Sequence, residues 1–138
     1  MSAIVVGYDD SPGSKAALGV AVDLASQLGD ALVISYGYGP PGNVGEEFRE
    51  HREALMEIGR KLTDEAKSQA AAAGVDAHVE LVQEHGAAAL LSVAERHDAR
   101  FIVVGTYGES PLKGAILGST PHKLLHLSEV PVVVVPAS

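Results

Sequence analysis

Five short strand-like runs, spaced so that helical stretches separate most of them, constrain this chain more than any other feature. Residues 3–8 read Ala-Ile-Val-Val-Gly-Tyr, a mostly apolar run without polar alternation, and the later runs are 31–36, 76–82, 101–105 and 130–135. A strand with one wet face alternates apolar and polar residues, whereas a strand covered on both faces does not. Strand, helix, strand therefore predicts an α/β domain around a parallel sheet. The chain has 138 residues, 46% of them hydrophobic, enough for one core, so residues 1–138 are expected to form a single domain.

The helix signals are local and specific. Ser11 followed by Pro12 predicts an N-cap and first helical position, Leu18, Ala21, Ala25 and Leu28 would share one face, and Gly29 would end the helix. A second, long helix is expected to bury Phe48, Leu55, Ile58, Leu62, Ala66, Ala70 and Ala73 before stopping at Gly74. A third is expected over about 87–97. A fourth covers about 119–127, with Ser119 or Thr120 as its cap and Pro121 tolerated in the first turn. Right-handed crossovers make an open, twisted, five-stranded parallel sheet of order 3-2-1-4-5, three layers with four helices, the simplest topology. Such Rossmann-like sheets bind ligands at the carboxyl ends of their strands.

Composition limits the partners. The net charge is −8, from 18 acidic and 10 basic side chains, which disfavours nucleic acid and demands that any phosphate site be built locally from backbone amides, helix N-termini and a few lysines. The chain has no cysteine, so it has no disulfide and no thiolate site, as suits a reducing cytosol. No signal-peptide pattern or run long enough to span a bilayer is evident, and a cytoplasmic location is expected.

Gly105-Thr-Tyr-Gly108, nine further residues, then Gly118-Ser119-Thr120 lie between an apolar strand and a helix. Glycine permits the close backbone approach and positive φ angles that let several N–H groups converge on a phosphate, and the two hydroxyls add donors. The same residues also suit a plain turn and helix cap. Tyr8, Tyr36, Tyr38 and Tyr107 all fall at strand ends, where they suit either a wall for a planar ring or strand ends with wet hydroxyls.

These residues resemble the nucleotide-binding signature of the universal stress protein family: Gly, two residues, Gly, nine residues, Gly, then Ser or Thr. The opening Val-Gly-Tyr-Asp9-Asp-Ser-Pro-Gly-Ser14-Lys-Ala-Ala-Leu18 is similar to the family's first strand and helix start, and Glu129-Val-Pro131-Val-Val-Val-Val-Pro to its last strand. The resemblance implies the adenine nucleotide alpha hydrolase-like fold and a site formed by Gly7, Tyr8, Asp9, Gly37, Val104, Gly105, Gly108, Gly118, Ser119 and Thr120. Asp9 would accept a hydrogen bond from the adenine or adenosine, Gly37 would lie near the base, Val104 and Gly105 near the ribose, and Gly108, Gly118, Ser119 and Thr120 would hold phosphates. Taken alone, Asp9 reads equally as a helix cap. ATP with Mg²⁺ is the implied ligand, with AMP or a cyclic nucleotide as alternatives, and pairing through 130–135 into a homodimer is implied too.

Two departures bear on the phosphates: Glu109 adds negative charge to the loop, and Pro121 removes a donor from the helix start. Lys113 and Lys123 offset Glu109 in part. The Gly37-Tyr-Gly39-Pro-Pro-Gly42 segment has dinucleotide-fingerprint spacing, but its prolines lack N–H groups, and it reads as a loop. His122 and His126 have metal-ligand spacing without an evident third ligand and read as surface residues. No catalytic set of serine, histidine and acid stands out. The expected role is thus an ATP-binding sensor and not an enzyme, with slow ATP hydrolysis or a nucleotide-independent dimerisation module as rivals.

Overall fold

The computed structural model describes residues 2–38, 46–84, 86–106 and 118–137, with side chains in the second helix from residue 50 onward. Helix α1 (Pro12–Leu28) follows strand β1 (Ala3–Gly7), then β2 (Ala31–Gly37), α2 (Glu46–Ala72), β3 (Ala77–Val82), α3 (Gly86–His97), β4 (Ala99–Gly105), α4 (Ser119–Leu127) and β5 (Val132–Val135). All strand pairs are parallel, in the order β3-β2-β1-β4-β5. The fold class and strand order are those the sequence predicts.

The strands alternate between two cores. Ile4, Val6, Leu32 and Ile34 pack with Leu18, Ala21 and Ala25 of α1 and Ala66 and Ala70 of α2. Val5, Val33, Ile102 and Val104 pack with Leu90 and Val93 of α3 and Leu124 of α4. Both faces of the central strands are covered, which is why their sequences are continuously apolar. Each fully buried Leu, Ile or Val side chain contributes about 1.5–3 kcal/mol. β3, at one edge, instead alternates, with His78 exposed between buried Ala77 and half-buried Val79.

Caps set the helix ends. The Ser11 hydroxyl accepts from the Ser14 N–H, Pro12 is the first helical residue, and Gly29 closes α1 at φ 71° with its N–H on the Ala25 carbonyl. At α4 the expectation of a hydroxyl cap is not met: the N-cap is Gly118, in extended conformation, and no side chain caps the helix. Three helix-face assignments also differ. Leu28 is 43% and Ile58 51% exposed, and Ala73 lies beyond the end of α2 on the surface. The buried stripe of α2 runs through Gly59, Thr63, Ala66 and Ala70. Phe48 lies outside the described side chains.

Candidate functional site

An open cavity of about 160 Å³ sits at the carboxyl ends of the strands, where β1 and β4 send their chains to opposite faces of the sheet. β1 contributes Gly7 and the residues that follow it, Tyr8 and Asp9. Ser35 and Gly37 come from β2, and Val104 and Gly105 from β4. Three helices direct their first turns at the same space: α1 through Ser11 and Ser14, α3 through Gly86, and α4 through Thr120 and Pro121. The positive ends of three helix dipoles thus surround one cavity, an arrangement suited to an anion. Ala89, Leu90 and Val104 supply apolar wall for a ring.

The turn from β1 into α1 is tightly tied. Asp9 Oδ1 accepts from the Ser11 N–H at 3.0 Å, and the Asp9 N–H donates to Ser14 Oγ at 3.2 Å. The Ser14 hydroxyl donates to the Ser11 carbonyl at 3.1 Å. Asp9 is therefore a turn-forming residue and a cavity residue together, while the cap itself is Ser11. Asp10 adopts φ 64°, a left-handed conformation uncommon outside glycine. Its Oδ1 accepts from the Tyr8 hydroxyl at 3.1 Å and lies 3.4 Å from Lys15 Nζ. Burial, then the Asp10 carboxylate, push the Tyr8 phenol up to about 12.

Gly105 marks a close approach. A Cβ there would stand 2.7 Å from the carbonyl carbon and oxygen of Gly13, so β4 passes against the backbone of α1's first turn. Gly86, at φ 64°, begins α3 beside the Thr120 hydroxyl and so brings the starts of α3 and α4 together.

Of the ten residues that the resemblance implies, Gly7, Tyr8, Asp9, Gly37, Val104, Gly105 and Thr120 line the cavity. Gly118 and Ser119 adjoin Thr120 in the chain without lining it, and the Gly118 N–H donates to the Thr106 carbonyl at 2.6 Å. Gly108, with Tyr107, Glu109 and Lys113, lies outside the described residues. The tyrosine wall is not assembled among the described residues: Tyr8 lines the cavity, whereas the Tyr36 ring beds on α2 where a Cβ at Gly59 would be 2.9 Å away. Tyr38 is buried beyond the end of β2. Ser11, Ser14, Ser35, Gly86, Ala89, Leu90 and Pro121 line the cavity without having been marked as site residues. The parallel register pairs Ser35 with Gly7, a juxtaposition that strand order and polarity together could have disclosed.

His122 and His126 stand edge to face with ring centroids 4.8 Å apart, and among the described residues no group of three or more His, Asp or Glu is placed to hold a metal. Among the described residues, too, no helix is long and apolar enough to cross a membrane.

The fold and cavity define an open, doubly wound α/β protein with a ligand-sized hollow at its switch point. A model of the universal stress protein family matches residues 1–136, and the chain belongs to that family. It is 34% identical over 143 residues to the universal stress protein YxiE of Bacillus subtilis, covering 96% of this chain and 97% of that one. Some mycobacterial relatives are longer, and the chain spans 44% of the length of Rv2005c from Mycobacterium tuberculosis. The structure of UspA from Lactobacillus plantarum superposes with a TM-score of 0.86 at 18% identity over 97% of each chain, a likeness of fold. A universal stress protein solved in complex with cAMP superposes with a TM-score of 0.78 at 27% identity, covering 99% of this chain and 98% of that one.

Proposed function

We propose that this protein is a cytoplasmic regulator that binds an adenine nucleotide, ATP first among them, and that the bound nucleotide alters the surface it presents to a partner. The observation that carries this reading is the convergence of three helix N-termini on a cavity that also holds Asp9 and an apolar wall. The helix starts suit the phosphates, Leu90 and Val104 suit the faces of a ring, and Asp9 suits a donor on the base or sugar. The cAMP complex of the 27% identical relative supports an adenine nucleotide as the ligand. Mg²⁺ would arrive with the phosphates, with Asp9 as the described carboxylate nearest to hand.

Catalysis is not part of the proposal. Asp10 is engaged by Tyr8 and Lys15, and the Asp9 oxygen nearest the helix is engaged by the Ser11 N–H. The protein is expected to retain bound ATP without turnover, and phosphate release faster than that of an Asp9→Ala control would refute this. A monophosphate or cyclic nucleotide is the second reading, favoured by the cAMP-bound relative. Thermal unfolding with ATP, AMP and cAMP ranks the three, because a ligand at a hundred times its Kd stabilises the folded state by about 2.7 kcal/mol. If limited proteolysis proceeds identically with and without the best ligand, the regulatory part fails.

We further propose a homodimer formed through β5. This strand lies at the sheet edge and consists of four valines, Val132–Val135, an unpaired apolar edge of the kind that proteins cover.

A further inference from the structure

Five polar or charged residues are buried among the described residues: Ser11, Ser14, Asp30, Ser35 and Thr63. Four have their side chains hydrogen-bonded within the protein. Ser11 and Ser14 bond each other's turn, Asp30 accepts two bonds from Arg100, and Thr63 donates to the Gly59 carbonyl at 2.7 Å. Ser35 is the exception. It is 3% exposed, its carbonyl accepts from the Tyr8 N–H, and its hydroxyl makes no hydrogen bond to any described residue. Its oxygen is not sealed off, since Arg52 Nε is the one fully buried unpartnered side-chain atom among the described residues, and the hydroxyl opens onto the cavity with its hydrogen-bonding capacity free.

A ligand in the cavity could use that capacity. Ser35 lines it from β2, level with Gly7 in the strand register and on the face of the sheet that α3 covers. Neither neighbour crowds it: Gly7 has no side chain, and Gly37, two residues on, has none either. β2 lies two strand spacings from β4, about 10 Å, whereas α4 packs against α3 and against β5, the strand next to β4 and away from β2. A nucleotide with its phosphates at α4 would therefore direct its base toward β2. Leu90 and Val104 would cover the ring faces, leaving an in-plane edge to meet the hydroxyl.

We propose that Ser35 is a specificity-determining residue whose hydroxyl donates a hydrogen bond to a ring nitrogen of the bound purine. The proposal rests on the nucleotide-binding reading above and assigns a partner on the base to a side chain that the family signature does not include. Asp9 is an acceptor and the Ser35 hydroxyl acts as a donor, so the two together suit a heterocycle that offers both a donor and an acceptor.

The test uses the full chain and four ligands: AMP and its 1-deaza, 3-deaza and 7-deaza analogues, each lacking one ring nitrogen acceptor. Ser35→Ala is expected to bind AMP about three- to tenfold more weakly than the wild type, the net value of one hydrogen bond. One deaza analogue should lose a similar factor against the wild type and lose nothing further against Ser35→Ala, closing a non-additive cycle. Equal AMP affinity in wild type and variant overturns the proposal. So does a variant whose loss adds to that of every analogue, since the hydroxyl would then touch no ring nitrogen. Absence of AMP, ATP and cAMP binding by the wild type overturns the nucleotide reading itself, a separate outcome. Circular dichroism of the variant, with an unchanged melting transition, shows that the hydroxyl's loss acts on binding and not on folding.

Discussion

A Cβ placed on Gly105 would stand 2.7 Å from the carbonyl carbon and oxygen of Gly13. The end of β4 thus approaches the first turn of α1 backbone to backbone, at the edge of the cavity that Gly105 lines. Gly105→Ala is expected to cost about 2–3 kcal/mol, because backbone cannot give way as a side chain can. Gly7→Ala meets the movable tip of Leu90 at 3.2 Å and should cost less. Gly19→Ala in the middle of α1 meets nothing within 4 Å and should stabilise by about 0.5–1 kcal/mol. Urea unfolding of the three variants checks the order.

The Tyr8 phenol, held up to about 12 by burial and the Asp10 carboxylate, makes the folded state prefer the neutral form. The stability it contributes is present below its ordinary value of 10.0 and is lost as the pH rises from there through about 12. An ultraviolet phenolate titration should contain a late step from Tyr8. Tyr8→Phe should abolish that late step, and Asp10→Asn should bring it to lower pH. A high-pH titration unchanged by Tyr8→Phe would contradict the assignment.

Glu80 on β3 accepts from His97 Nε2 at 2.8 Å and from Arg96 Nη1 at 3.2 Å, both on α3. The His97 hydrogen bond, and next the Arg96 charge, hold its carboxyl below the ordinary 4.5. The contribution is therefore present above pH 4.5 and fades as the pH falls below it. Glu80→Gln should lower stability at pH 7 by no more than about 1 kcal/mol, since Arg96 is largely exposed, and should flatten the loss below pH 4.5. Chemical denaturation at pH 7 and pH 3.5 checks both signs.

The carbonyls of Pro131 and Val135 accept from Ile102 and Thr106, so alternate residues of β5 turn toward β4 and Val132 and Val134 turn their backbone groups outward. Val134→Pro removes an outward N–H without removing a bond to β4. Sedimentation should show a dimer for the wild type and a monomer for this variant, whose circular dichroism is unchanged. A monomeric wild type would contradict the dimer.

Much of the fold was legible because its signals are local. Ser11, Pro12 and Gly29 bound α1 through their own hydrogen bonds and φ angles, and unbroken apolar runs follow from covering both faces of β1 and β4. The misreadings lie in which residues of a helix face the sheet: Leu28 is the last residue of α1, and Ile58 stands beside Gly59, the residue through which α2 meets Tyr36 and Leu81. Leu28 and Ile58 keep the apolar period, yet both are exposed. At α4, Ser119 had the right chemistry for a cap one residue late, and Gly118 took the place by backbone conformation alone. In the site, motif spacing marked Asp9, Gly105 and Thr120. Ser35 and Leu90 carry no motif, and only the pairing of β2 with β1 and the packing of α3 bring them to the cavity.

The central claim, adenine nucleotide binding in the cavity at Asp9, is tested most directly by calorimetric titration of ATP and AMP into the wild type and Asp9→Asn. The variant keeps an oxygen to accept from the Ser11 N–H, so α1 retains its start. Saturable binding to the wild type, weakened about ten- to a hundredfold in Asp9→Asn by loss of a charged acceptor, is the predicted result. Equal binding to both proteins, or none to either, would contradict it.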